Sequence, residues 1–263
     1  AAVLFLGTGL IGISHNFYWN AKSIETVALG GVLSTLQVSP LVLLTAEAWR
    51  FQRMPRLAMH GARQRGGSRG SFGLAEAFLF LVGVNFWNFF GAGVFGFAIN
   101  LPIVNYFQHG TYLTVNHGHA ALFGVYGNLA IAAMLFCGRW MVRPERWNPG
   151  LLRTVFWSLN FGLALMVALD LFPVGVHQLG TVLERGYAAA RSQAYLHGET
   201  FQTFTWLRGI GVCVFVLGGV VPLVWFVLSR AMHLKPAPSD SAVPVVPPTV
   251  LVFATSSSGE GES

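Results

Sequence analysis

Five stretches of this chain, 24–48, 72–99, 111–137, 151–172 and 204–229, each exceed 20 residues with at most two charged side chains. A helix needs about 20 mostly apolar residues to cross a bilayer, so each stretch is long enough to span. Residues 1–13 form an apolar run that reads as the end of one more span whose beginning is missing. The predicted fold is therefore all-α: a polytopic transmembrane bundle of about five full spans plus part of a sixth. Composition agrees: 54% of residues are hydrophobic and 10% are charged, where a soluble domain carries about a quarter charged residues. The 31 glycines and 22 phenylalanines suit helices that approach closely in lipid. The bundle is assigned to residues 1–235. Residues 236–263, rich in Pro and Ser, are assigned to a disordered tail. The first residue, Ala1, stands inside an apolar run without Met or a charged leader, so the chain is read as a fragment.

The formal charge of +6 does not point to nucleic acid, because the arginines sit in short loops between spans. Arg50, Arg53, Arg56, Arg63, Arg65 and Arg69 share one loop, and Arg139, Arg143, Arg146 and Arg153 gather around another. The intervening segment around 100–110 carries no Lys, Arg, Asp or Glu. By the positive-inside rule, 49–71 and 138–150 face the cytoplasm, and 14–23, 100–110 and 173–203 face the other side. Segment 176–198 is mixed in character and reads as a helical extension or interfacial piece, with a span boundary at Pro173. Cys137 and Cys213 lie in apolar segments, read as buried, and no c-type haem attachment motif is present.

Ionisable side chains at membrane depth are costly and usually functional. His117 and His119 are two residues apart, which on a helix is about 200° of rotation. Their imidazoles therefore leave nearly opposite sides of the helix. One metal cannot use both, but two haems flanking the helix can, and Gly118 leaves space for flat macrocycles. The alternative is a pair of packed histidines hydrogen-bonded to neighbours. His15 and Asn16 lie at a similar depth on the outer side. There His15 is a candidate nitrogen ligand for a second metal, and Asn16 offers a weaker amide oxygen or a helix-end hydrogen bond. Gln37, mid-segment, can donate and accept hydrogen bonds but cannot carry a proton; its alternative role is interhelical bonding. Glu47, Glu76 and Asp170 are read as end-of-helix residues, and Trp87, Trp157 and Trp206 as packing or interface anchors.

The run Asn116-His117-Gly118-His119, with Ala121-Leu122-Phe123-Gly124-Val125-Tyr126-Gly127 after it, resembles the haem-ligand helix of the quinol-dependent nitric oxide reductases. These belong to the haem-copper oxidase superfamily. Gly7-Thr8-Gly9 and His15-Asn16-Phe17-Tyr18-Trp19 resemble that family's segment for non-haem iron. The resemblance runs from Ala1 to about Arg230. It implies a bundle of the subunit I type holding a low-spin haem b, a high-spin haem b3 and a non-haem iron. Carried over, His117 is the axial ligand of the high-spin haem, His119 a ligand of the low-spin haem, and His15 a ligand of the iron. The remaining ligands are expected upstream, on missing N-terminal helices of the same protein.

Two departures stand out. The reductases have two adjacent histidines where this chain has His15-Asn16, and a glutamate where it has Gln37. Both departures resemble the divergent branch assigned nitric oxide dismutation, which turns 2 NO into N2 and O2. Reduction of two NO to N2O consumes two protons and two electrons, whereas dismutation consumes neither overall. Loss of an acid at Gln37 and of an imidazole at Asn16 therefore fits a poor net reductase. The resemblance thus implies an oxidoreductase acting on nitric oxide in a bacterial inner membrane, with Asn16 and Gln37 as catalytic positions. The alternatives are a quinol-fed reductase making N2O, a non-catalytic haem-binding paralogue and a haem-free transporter. Nothing in the sequence decides whether quinol binds.

Overall fold

The computed structural model describes residues 2–12, 23–36, 39–40, 42–43, 46–47 and 74–231. His15, Asn16, Gln37, the arginine-rich loop at 49–71 and the assigned tail lie outside the described residues. The described chain is helical, without a β-strand. In order, its helices are α1 (Ala2–Gly12), α2 (Ile24–Leu36), α3 (Leu74–Asn100), α4 (Pro102–Gln108), α5 (Tyr112–Met141), α6 (Pro149–Ala190), α7 (Gln193–Leu196) and α8 (Glu199–Arg230). Four of them, α3, α5, α6 and α8, are long and apolar enough to cross a membrane. At 1.5 Å per residue, even the 27 residues of α3 reach about 40 Å, which exceeds the roughly 30 Å hydrocarbon core. The expected all-α, multi-pass architecture is thus observed. Spans 1–13 and 24–48 are described only in part.

Local chemistry sets the helix ends. Gly110 turns the chain with φ 73°, and the Thr111 side chain then accepts from the Leu113 N–H, capping α5. Asn148 caps α6 in the same way, with Pro149 in the first turn. Each of the four long helices contains one π-turn: Asn88–Phe95 in α3, Leu122–Gly127 in α5, Val167–Leu171 in α6 and Val214–Val220 in α8.

The π-turn in α6 corrects one expectation. Pro173 does not end the span, because α6 continues through it to Ala190, with a non-helical step only at Gly186 (φ 81°). A proline lacks an N–H and crowds the carbonyl one turn back. The widened turn immediately before Pro173 takes up that conflict, so the helix runs on with a local distortion instead of stopping. The helical extension expected at 176–198 is therefore α6 itself as far as Ala190, followed by α7.

In lipid, helices gain little from apolar burial against each other, so close backbone approach and interhelical hydrogen bonds decide the packing. Helices α6 and α8 meet through glycines: a Cβ on Gly162 would lie 2.7 Å from the Phe215 nitrogen, and one on Gly211 would lie 2.7 Å from the Met166 nitrogen. As the α6 number rises, the α8 number falls, so the two run antiparallel. Helices α3 and α5 cross equally closely, with Gly91 against the Ala120 backbone and Gly124 against Trp87. A buried amide network ties three helices here. Trp87 Nε1 donates to Asn160 Oδ1 (2.9 Å), and Asn128 and Asn160 exchange amide bonds of 3.0 and 3.2 Å. One apolar cluster includes Phe80, Leu135, Leu152, Leu159 and Phe226; a second joins Trp87, Ala120, Leu163, Met166 and Leu171. Large apolar side chains such as Leu122, Trp157, Trp206 and Leu217 face outward, as a bilayer solvent permits. Trp87 is the packing residue expected, and Trp157 and Trp206 lie on the outer surface. Cys137 and Cys213 are exposed free thiols. The expectation of burial fails because a helix apolar all round, set in lipid, leaves some apolar positions outside the protein core.

Candidate haem-ligand helix

The N-terminal end of α5 is tied down on two sides. Gln178 of α6 accepts from the Tyr112 N–H at 2.9 Å and donates to the Ala190 carbonyl at 3.0 Å. Gln108 of α4 donates to the Ile99 carbonyl and accepts from the Thr114 hydroxyl. All these groups are buried or partly buried, where a hydrogen bond left unmade is expensive. The start of α5, whose first eight residues include both histidines, is thereby held in one place.

His117 turns toward α3. Its Nδ1 lies 2.8 Å from the Gly91 carbonyl oxygen, and Gly91 sits in the π-turn of α3. The ring also packs on Gly96, where a Cβ would come within 2.9 Å of Cε1. His119 departs differently. It is exposed, and its Nδ1 lies 3.0 Å from the carbonyl of Val115 on its own helix. A carbonyl only accepts, so in both neutral rings the proton belongs on Nδ1 and the lone pair on Nε2. That is the tautomer a metal-ligating histidine takes when a backbone carbonyl orients it. Between the two, a Cβ on Gly118 would meet nothing within 4 Å.

Among the described residues, no three His, Cys, Asp or Glu side chains converge on one point. Each imidazole therefore stands as a single protein donor. That arrangement suits a macrocycle, which brings four nitrogens of its own and asks the protein for axial ligands. His117 and His119 are the groups that could each hold one haem through Nε2. His15, Asn16 and Gln37 lie outside the described residues. Asn116, preceding His117, is buried with an Oδ1 that has no hydrogen-bond partner.

Sequence reasoning misjudged one residue near this helix. Asp170 is not an end-of-helix residue but lies fully buried inside continuous α6. Its Oδ2 is 3.4 Å from Arg208 Nη1 of α8. The signal available was one acidic and one basic residue at similar depth on neighbouring spans. Their pairing becomes visible only once the helix register is known. Glu76, in contrast, does sit at the start of α3. There it accepts from Trp147 Nε1 at 3.2 Å and lies 3.9 Å from Arg153.

Comparison with known proteins agrees with the helical bundle. The family described as cytochrome c and quinol oxidase polypeptide I matches residues 1–214 of this chain. A nitric oxide reductase subunit of Stutzerimonas stutzeri is 28% identical over 221 residues, covering 83% of this chain and 44% of that protein. The chain thus spans less than half the length of this relative. A family match that starts at residue 1 and runs through all of α1 to α6 takes in the whole histidine-bearing helix and its neighbours. On that ground the chain belongs to the cytochrome c and quinol oxidase polypeptide I family.

Proposed function

We propose that this chain is part of a bacterial inner-membrane oxidoreductase acting on nitric oxide, and that it dismutes 2 NO to N2 and O2. The observation that carries the reading is the α5 helix, whose two imidazoles leave on different sides, each with Nδ1 fixed by a carbonyl. In this reading His117 would hold a high-spin haem b3 and His119 a low-spin haem b. When bound, the two haems supply redox-active iron, one to hold NO and one to relay electrons. His15 would be a ligand of a non-haem iron. Upstream helices of the same protein supply the remaining ligands, and lipid surrounds the bundle.

The chain's own residues favour dismutation over reduction. Gln37 can bond but cannot deliver a proton at ordinary pH, so a step that consumes protons loses a donor there. Asn16 offers an amide oxygen where an imidazole would be the stronger donor, which weakens the hold on a borderline metal. A reaction that needs no net protons or electrons tolerates both changes. A second reading has its own support: the relative matched over most of this chain is named a nitric oxide reductase subunit. In that reading quinol feeds electrons, and the product is N2O.

Isotopically labelled NO, supplied under anoxia to membranes holding the full-length protein, separates the two. Labelled N2 and O2 appearing together without an electron donor establish dismutation. N2O formed only after quinol is added establishes reduction, and then Asn16 and Gln37 are tolerated variants. A purified protein with no Soret band overturns both. The double variant Asn16→His/Gln37→Glu is expected to move product toward N2O, and an unchanged ratio removes these two positions from the account.

A further inference from the structure

The Asp170–Arg208 pair joins two spanning helices, α6 and α8, through a fully buried carboxylate. Its position follows from the α6–α8 register. Gly162 packs on Phe215 and Met166 on Gly211, so advancing four residues along α6 retreats four along α8. One more such step brings Asp170 opposite residues 207–208. Asp170 lies in the π-turn Val167–Leu171 and, like its neighbour Leu171, is fully buried. π-Turns of this kind gather at functional sites.

The pair also lies beside His119. Leu171 and Ala120, the chain neighbours of Asp170 and His119, share one apolar cluster. His119 and Arg208 both lie within electrostatic reach of the carboxylate. Asp170 is sealed from solvent, with neither oxygen in a hydrogen bond of good geometry, while Arg208 is about one-third exposed. A buried ion pair is a poor source of stability, since desolvation offsets the attraction. Ionisable residues at membrane depth usually serve function.

We propose that Asp170 is a positioning residue for the His119 site: it fixes and neutralises Arg208, and through that cation sets the midpoint potential of the group His119 holds. The inference rests on His119 being a haem ligand. Reduction lowers the iron's charge by one, so an uncompensated cation nearby favours the reduced form. Arginine stays charged in proteins, so Asp170→Asn leaves its full charge beside the site. Arg208→Gln alone is less informative, because a buried unpaired carboxylate takes up a proton instead. The double variant replaces a neutral ion pair with a neutral amide pair.

The experiment is a spectroelectrochemical titration of the full-length protein in detergent, following the low-spin and high-spin haems by their separate bands. Asp170→Asn is expected to raise the low-spin midpoint and to move the high-spin midpoint less. Asp170→Asn/Arg208→Gln is expected to return the low-spin midpoint to the parent value. If Asp170→Asn loses haem through misfolding, the double variant still decides: recovery at the parent midpoint supports the role, and absence of recovery overturns it. A low-spin midpoint unmoved or lowered in Asp170→Asn, or both haems moving equally, also overturns it. A parent protein without low-spin haem defeats the assignment of His119, whereas haem present with no shift defeats this inference alone.

Discussion

The two histidines of α5 are separated by one glycine, yet they are held in different ways. His117 depends on another helix: its Nδ1 partner is the Gly91 carbonyl of α3, and its ring rests on Gly96. His119 depends on its own helix, with Val115 one turn back as partner, and its ring is exposed. One imidazole position is thus a property of the α3–α5 crossing and the other of α5 alone. Disturbing the crossing should reach the first and spare the second.

The largest expected effect comes from removing the rings themselves. His117→Ala should abolish the high-spin haem signal and leave most of the low-spin signal, and His119→Ala should do the reverse. Optical and electron paramagnetic resonance spectra of the purified protein check this, and both haems persisting in either variant would break the comparison. Next comes the crossing. A Cβ at Gly91 would sit 2.7 Å from the Ala120 backbone, so Gly91→Ala should cost about 1–3 kcal/mol through forced separation of α3 and α5. It should also lower high-spin haem occupancy before low-spin occupancy. At Gly118 the same substitution meets no protein atom within 4 Å, and Ala is the better helix former by about 1 kcal/mol. If Gly118→Ala nevertheless reduces haem content, the space beside that glycine is filled by the macrocycles.

A smaller effect is expected at the tether shared by both histidines. Gln178→Ala orphans the Tyr112 N–H and the Ala190 carbonyl, at about 1–3 kcal/mol for buried groups left unpaired. Because it loosens the start of α5, both haem signals should weaken together, and a selective loss would show that the tether serves one site only. The smallest effect lies outside the membrane, where the Tyr195 hydroxyl meets His177 Nδ1 at 2.8 Å. Burial pushes the Tyr195 phenol above the usual tyrosine range. The unfolded phenol ionises first as pH rises past about 10, so this contribution is intact below that value and is lost as pH climbs through the folded value. Tyr195→Phe should cost about 1 kcal/mol near neutral pH and flatten the alkaline loss, as read by thermal unfolding at several pH values.

Much of this arrangement was legible in the residues. Apolar runs of 20 or more residues located α3, α5, α6 and α8, because a bilayer leaves a helix no other way to satisfy its backbone. A spacing of two placed the His117 and His119 rings on different sides, since helical rotation is local. The same runs misplaced the end of α6, because whether Pro173 stops a helix depends on the turn before it. They also gave no sign that Asp170 is buried, since a residue near the end of an apolar run can face a neighbour or the interface.

The sequence by itself determined the placement of the four long helices, the family and the angular separation of the two imidazoles. All three follow from short-range rules: hydropathy over a span, motif identity and 3.6 residues per turn. Tertiary structure alone decided that Gly91 orients His117, that Gln178 anchors α5 and that Asp170 meets Arg208. Each of those contacts joins residues from different helices, and their meeting depends on register set by glycine-on-backbone packing, which no single helix encodes.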